Sequence, residues 1–273
     1  MTETYWKQTW RELVERFSAE PAQGENSLLA RWGKKVKSAG YTEHRRKRDR
    51  DDPLMRFVID RVGPEDTILD VGAAIGRWSI PMAKKARSVT ALDALPGMLD
   101  LLRENARDEG IDNIQTIQGD WSTAEPGIHD YVLASHSAYT SPDIVGYARK
   151  IERHARKACY IVLRVPMHDG VVGELSDRIH GNWHDSPNFT VGYNALLEAG
   201  ITGHVVMEEP VRHWSDTSLD DALLRAKRHL RLSVDDHDEA IMETLQRRLV
   251  RRGDEYRWPD GMQSALIWWR PAN

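Results

Sequence analysis

The chain lacks most of what would tie it to an oxidising compartment, a membrane or a polyanion. It has one cysteine, Cys159, in an apolar run, so no intramolecular disulfide is possible and a buried structural thiol is expected. No apolar stretch reaches the length of a bilayer span and no leader pattern opens the sequence, so no membrane partner and a cytosolic address are expected. Positive charge is not in excess: over 273 residues the formal net charge is −4, which argues against an overall electrostatic grip on nucleic acid. The basic run His44 to Arg50 is interrupted or followed by Asp49, Asp51 and Asp52 and carries no aromatic residues, so it reads as a solvated linker or helix face. There is no internal repeat and no low-complexity tract. A hydrophobic fraction of 40% and a charged fraction of 29% belong to a globular protein, and the length fits one large domain or a domain with a sizeable insertion.

What is present is organised around residues 67–78. The apolar run Ile68-Leu69-Asp70-Val71 reads as a buried parallel strand. A small-residue turn follows, Gly72 to Gly76, and then a helical segment carrying Ile80, Met82 and Ala83. Strand, tight glycine turn and helix start let backbone N–H groups approach a ligand closely. The dinucleotide pattern Gly-x-Gly-x-x-Gly is absent, since it needs glycine at Ala74 and Arg77. A second buried run, Ser88 to Leu92, ends on Asp93 about 20 residues after the turn, where a carboxylate can accept from both hydroxyls of a ribose. A third, Ile114 to Gln118, ends on Gly119-Asp120-Trp121, an acid and a ring suited to the amino group and face of adenine.

At these residues the sequence resembles the class I S-adenosylmethionine-dependent methyltransferases, over about residues 65–165 and again at 265–269. The resemblance implies that Gly72 and Gly76 hold the methionine part of the cofactor, Asp93 the ribose, and Asp120 with Trp121 the adenine. It also implies cofactor contacts from Asp70, Ala74, Ala94, Met98 and Ser135. Ala74 departs from the family, which usually has a middle glycine there. A doubly wound domain for another nucleotide is the competing reading of the same turn.

Before this core, Trp6, Trp10, Leu13, Val14 and Phe17 form a helical stripe, and Leu28, Leu29, Trp32 and Val36 suggest a second helix. Packing on the core accounts for most of them; Tyr5, Trp6 and Trp10 also suit a lid that excludes water. Asp52-Pro53 starts a helix, and Pro96 another with Met98, Leu101 and Leu102 inward. The fourth strand is Tyr131 to Ser135. Ser141-Pro142 is expected to cap the next helix, and Tyr160 to Val165 to form the fifth strand. The tips of strands four and five face the place of methyl transfer. His136 and, second, His168 are therefore candidate bases, with Tyr139 beside them; for His136, hydrogen bonding to cofactor or backbone is the equal alternative. Around His180 to Asp185, Gly181 and Ser186-Pro187 oppose a stable helix carrying both His180 and His184. Those histidines with Asp185 make a tempting metal set, but polar loop groups near a substrate are the preferred reading and no metal is expected. Phe189 to Ala199 and His204 to Glu208 read as a helix and the sixth strand. Residues 209–263 then carry two amphipathic helices, the first opened by Ser218 and the second ending in Arg247, Arg248, Arg251 and Arg252, placed to favour its dipole.

The expected architecture is α/β: a Rossmann-like, seven-stranded, mostly parallel sheet whose last strand, Ala265 to Trp269, is antiparallel. Its parts are an N-terminal helical cap (1–52), a cofactor core (53–210), a helical insertion (211–262) and the last core strand (263–273). The expected reaction is methyl transfer from S-adenosylmethionine to a small-molecule acceptor, by a monomer or homodimer, without nucleic acid. An RNA or protein methyltransferase and a non-catalytic S-adenosylmethionine-binding regulator remain as alternatives. Ser135-His136-Ser137-Ala138 stands where an Asn-Pro-Pro-Tyr-like motif would favour adenine or amide nitrogen targets, and the acid clusters of magnesium-dependent O-methyltransferases are missing.

Overall fold

The computed structural model describes residues 4–18, 52–209, 211–232 and 237–272. The expected helix around Leu28 to Val36 and the basic run 44–50 lie outside the described residues.

The strands of the main sheet are β1 (Thr67–Val71), β2 (Ser88–Asp93), β3 (Ile114–Gln118), β4 (His129–Ser135), β5 (Ala155–Arg164), β6 (His204–Met207) and β10 (Ser264–Trp269). Their order is β3-β2-β1-β4-β5-β10-β6, with β10 antiparallel to both β5 and β6. The apolar runs are nearly continuous because both faces are covered. On β5, Cys159, Ile161 and Leu163 enter one apolar layer, and Ala158, Tyr160 and Val162 the other.

Helices α2 (Pro53–Ile59), α3 (Ser79–Ala83) and α4 (Pro96–Asp108) lie along the first half of the chain. Asp52 caps α2 by accepting from the Leu54 and Met55 N–H groups, with Pro53 in its first turn. The other face holds α1 (Tyr5–Ser18), α5 (Ile144–His154) and α7 (Phe189–Glu198), packed through Trp10, Leu13 and Val14, Ile144 and Ile151, and Val191 and Leu196. Trp10 is fully buried and its indole donates to the Ser141 carbonyl (2.8 Å), so it is core rather than lid surface.

Several boundaries differ from the sequence reading. Asp143, not Ser141-Pro142, caps α5, accepting from the Gly146 N–H at 2.9 Å. β5 begins at Ala155, directly after that helix, instead of at Tyr160. Residues 171–180, given no element from the sequence, form a helix, α6 (Val171–His180), which stops at Gly181 in the left-handed region (φ 68°). His180 and His184 therefore share no helix: His180 Nε2 donates to the Leu230 carbonyl (3.0 Å), and His184 lies against Asn188.

The segment between β6 and β10 is more than two helices. It holds α8 (Leu219–Leu230) and α9 (Asp238–Arg248), and also β7 (Arg212–Asp216), β8 (Val250–Arg252) and β9 (Glu255–Met262) in a separate antiparallel sheet of order β7-β9-β8. Ser218 caps α8 as expected, accepting from the Asp221 N–H. A second apolar core joins Val171, Val172 and Leu175 of α6 to Ala222, Ala226, Ile241, Leu245 and Trp258. The arginines do more than face a dipole. Arg247 and Arg248 pair with Glu174 of α6, and Arg248 also with Asp169, whereas Arg251 and Arg252 lie beyond the helix on β8. Asp260 of β9 accepts from the Val171 and Val172 N–H groups, so the inserted unit caps α6 from 89 residues away.

Candidate active site

The glycine turn leaves β1 with its backbone folded onto the neighbouring strand. Gly72 and Ala73 donate to the Leu92 carbonyl (2.8 and 3.0 Å). Gly72 sits at φ 74°, and a Cβ there would lie 2.4 Å from Ser137 Cβ, so only glycine fits. Ala74, at the position of the missing glycine, takes up a left-handed conformation as well (φ 47°). Its N–H donates to Asp93 Oδ2 at 2.8 Å, which holds that strained residue in place. Asp93 Oδ1 accepts from Leu95 N–H at 2.9 Å. Each oxygen of Asp93 thus has one lone pair spent on the backbone and capacity left for a hydroxyl.

Asp120 accepts through Oδ1 from the Ser122 N–H (2.8 Å) and hydroxyl (2.5 Å), and these bonds hold its pKa below the usual carboxylate range. Trp121 is mostly buried, 5.4 Å edge-on from His154 and 6.0 Å from Tyr147, with only 8% of its surface exposed. Met98 is buried against Ile75, where it backs the turn instead of presenting a surface; Ala94 is exposed. Asp70 is buried, with Ser79 donating to Oδ2 at 2.6 Å. Burial pushes its pKa up to about 7. A carboxyl raised in the folded state contributes stability that is complete below its unfolded pKa and lost as pH rises through the folded one. The protein without ligands is therefore expected to lose stability between about pH 4 and pH 7 through this group. Asp70→Asn should flatten that part of the profile, read as the difference between the two proteins in urea unfolding across the same pH range.

The tips of β1, β4, β5 and β10 share one edge, since Val71 pairs with Ala134, Ser135 with Val162, and Arg164 with Ser264. Ser137 locks β4 to the turn, donating to the Val71 carbonyl (2.7 Å) and lying 3.0 Å from the Tyr147 hydroxyl. Ser135 is half-buried at the end of β4. His136 follows at φ 55°, half-buried, with Nδ1 2.9 Å from the Tyr139 hydroxyl and Nε2 3.4 Å from Ser264 Oγ. Burial, then the Arg77 and Arg164 guanidiniums, lower its pKa to about 4. Such an imidazole is neutral and a weak base. His168 is exposed in the loop after β5, away from these contacts.

Further residues complete the wall, among them Asp185, read from the sequence as a polar loop group near a substrate. The Arg164 guanidinium donates to Asp185 (2.5 Å) and Ser186 (2.7 Å), while Arg16 of α1 donates to the His184 carbonyl (2.6 Å). His229 of α8 stacks on Trp214 (4.6 Å) and is held well below the ordinary histidine pKa, first by burial. Arg164 had a signal, a cation ending a buried apolar run; His229 has none, because its partners come from distant segments, and the sequence shows Asp185 but not its pairing with Arg164. Among the described residues, no group of three or more histidine, cysteine, aspartate and glutamate side chains is placed to hold a metal, and no helix is long and apolar enough to cross a membrane.

Comparison with known proteins places these features. Residues 68–158 match the family described as methyltransferase domain. The chain is 36% identical over 72 residues to the probable ribosomal RNA small subunit methyltransferase A of Methanosphaera stadtmanae, covering 26% of this chain and 27% of that one. It is 33% identical over 103 residues to the aklanonic acid methyltransferase DauC of a Streptomyces species, covering 34% and 46%. It therefore spans about a quarter to under half the length of these relatives. A solved structure from Bacillus halodurans C-125, described as a proposed methyltransferase, superposes with a TM-score of 0.56 at 15% identity, over 81% of this chain and 98% of that one. With the strand order and the glycine turn, these matches mark residues 68–158 as similar to a methyltransferase domain and the fold as that of class I S-adenosylmethionine-dependent methyltransferases.

Proposed function

We propose that this protein transfers a methyl group from S-adenosylmethionine to a small-molecule acceptor in the cytosol. The observation that carries the reading is the convergence, on one sheet edge, of the Gly72 turn, Asp93 and Asp120, backed by Trp121. The donor set fits the cofactor. Asp93 keeps acceptor capacity for ribose hydroxyls, and Asp120 remains ionised to accept from an adenine amino group. Gly72, Ala74 and Gly76 allow the close backbone approach that the methionine part needs, beside Asp70 and Ser135. Ala94 flanks the adenine side in this reading, and Met98 backs the turn from within the core. When bound, S-adenosylmethionine supplies an electrophilic methyl on a sulfonium. The protein's part is then to align the acceptor and exclude water.

The inserted unit and α1 support a small acceptor. The Arg164–Asp185 pair, Arg16 and His229 come from separate elements and meet beside the β4 and β5 tips, which suits an enclosed site. The name of the Streptomyces relative points the same way. The ribosomal RNA relative favours the alternative, but its 72-residue match is too short to span both the glycine turn and the inserted unit.

Calorimetric titration with S-adenosylmethionine, S-adenosylhomocysteine and NAD tests the cofactor. Binding of the first two and not of NAD is expected; the opposite pattern would sink the reading. Asp93→Ala should weaken S-adenosylmethionine binding by roughly 1.5–3 kcal/mol, about 10- to 150-fold, as for hydrogen bonds to a charged group. Unchanged affinity in a folded variant removes Asp93 from the ribose site. Salt-sensitive binding of an RNA transcript would instead favour the nucleic-acid alternative.

A further inference from the structure

We propose that Tyr139 is a positioning residue that keeps neutral His136 protonated on Nε2, so that His136 meets the methyl acceptor as a hydrogen-bond donor and the acceptor is an anionic oxygen: a carboxylate, phenolate or enolate. The proposal rests on the reading that methyl transfer takes place at the tips of β4 and β5.

The hydrogen-bond chain sets the tautomer. Arg164 donates its backbone N–H to the Tyr139 hydroxyl oxygen at 2.6 Å. That oxygen also lies 2.9 Å from His136 Nδ1. Tyr139 has one hydrogen to give, and burial pushes its pKa up to about 12, so it stays a donor. If Nδ1 carried the imidazole proton, the tyrosine would receive two N–H groups and its own O–H would lose this partner, a costly arrangement in a buried place. The Tyr139 O–H therefore points at Nδ1, which accepts. A neutral imidazole accepting at one nitrogen carries its proton on the other. That nitrogen, Nε2, is 3.4 Å from Ser264 Oγ, a long contact that a better-placed oxygen can replace.

Two further observations fit this role. His136 is held at φ 55° by its own N–H donating to the Val162 carbonyl (3.0 Å), and strain of this kind persists where the surroundings over-determine a residue. The Arg77 and Arg164 guanidiniums, paired with Asp52 and Asp185, act on the same imidazole and help to keep it neutral, so it is not available to take a proton from an acceptor. An anionic acceptor needs no base. Its oxygen lone pair forms the new O–C bond as the C–S bond breaks, the sulfur keeps that electron pair, and no proton has to leave.

The test is long-range proton–nitrogen correlation spectroscopy on the full-length protein with nitrogen-labelled histidines. The His136 signals are identified by their disappearance in His136→Gln. At neutral pH the wild type is expected to show a pure Nε2–H tautomer, and Tyr139→Phe a mixture of tautomers. A wild-type Nδ1–H form, an imidazolium, or an unchanged Nε2–H signature in folded Tyr139→Phe overturns the positioning role. If Tyr139→Phe does not fold, the wild-type spectrum decides. Benzoate added with S-adenosylhomocysteine should shift the His136 signals and benzyl alcohol should not; equal effects, or none from benzoate, overturn the anionic acceptor. Calorimetry on the same samples separates the two readings. A correct tautomer without cofactor binding defeats the methyltransferase reading and with it the acceptor role, whereas binding with the wrong tautomer defeats only the assignment to Tyr139 and His136.

Discussion

Trp10→Ala is expected to lower the unfolding free energy by about 3–5 kcal/mol, the range for removing a large buried aromatic side chain. Trp10 is wholly enclosed, and its loss would strand the Ser141 carbonyl as well as empty a cavity. The fit is close on the helix side. A Cβ at Gly192 of α7 would lie 3.0 Å from the Trp10 ring, so α7 approaches the indole through a glycine. Domains of ordinary stability hold about 5–15 kcal/mol, so the loss would remove a large part of the whole. Urea unfolding followed by circular dichroism measures it. A loss below about 1 kcal/mol would mean that α1 docks as a detachable cap and that the main core does not depend on it.

Gly72→Ala should be about as damaging, for a different reason. The residue would have to hold φ 74°, and its new methyl group would overlap Ser137 Cβ at 2.4 Å. Ser137 has little freedom to withdraw, because its hydroxyl is committed to the Val71 carbonyl and lies beside Tyr147. A left-handed conformation costs roughly 1–2 kcal/mol and overpacking about 1–3 kcal/mol, together about 2–5 kcal/mol. Any relief must come from moving the start of the 136–140 segment, so cofactor affinity should fall along with stability. Thermal unfolding and calorimetry with S-adenosylhomocysteine report the two losses. A variant with wild-type values in both would refute the close packing of β4 on the turn.

The core was legible because its signals are local. Ile68 to Val71 and Ser88 to Leu92 are apolar runs closed by turn residues or a carboxylate, and the glycine turn lies between them. The inserted sheet was missed although part of its signal exists. Tyr256, Trp258 and Asp260 alternate along β9, but Pro259 and Gly261 within the same strand argue against one. α6 was not read from the sequence, where Gly173 interrupts the helical pattern of Val171, Val172, Leu175 and Ile179. Gly173 is required there, since a Cβ would lie 2.6 Å from the Trp183 ring. The cap of α6 was beyond local reasoning altogether, because Asp260 arrives from another sheet. In the candidate site the residues on strand tips were found. Arg164, Ser264 and His229 were missed, and the pairing of Asp185 with Arg164 was not foreseen, because their meaning lies in which segments meet; the basicity expected of His136 is set by burial and by two arginines that sequence spacing does not bring together.

The position of β10 has a consequence for how the protein is made. β10 lies between β5 and β6, and among the described residues β6 pairs in the main sheet with β10 alone. On the ribosome, β5 is finished about a hundred residues before its partner emerges. At roughly 5–20 residues per second, the hydrogen-bonding edge of a strand carrying Cys159, Ile161 and Leu163 waits on the order of 5–20 seconds for cover. For nearly all of that interval the inserted unit is incomplete as well, since Trp258 of its apolar core lies on β9, immediately before β10 in the chain. The nascent protein thus passes through a stage in which both the outer unit and the inner sheet await the last segments of the chain, and that stage is where a chaperone or a neighbouring nascent chain would find an unpaired strand.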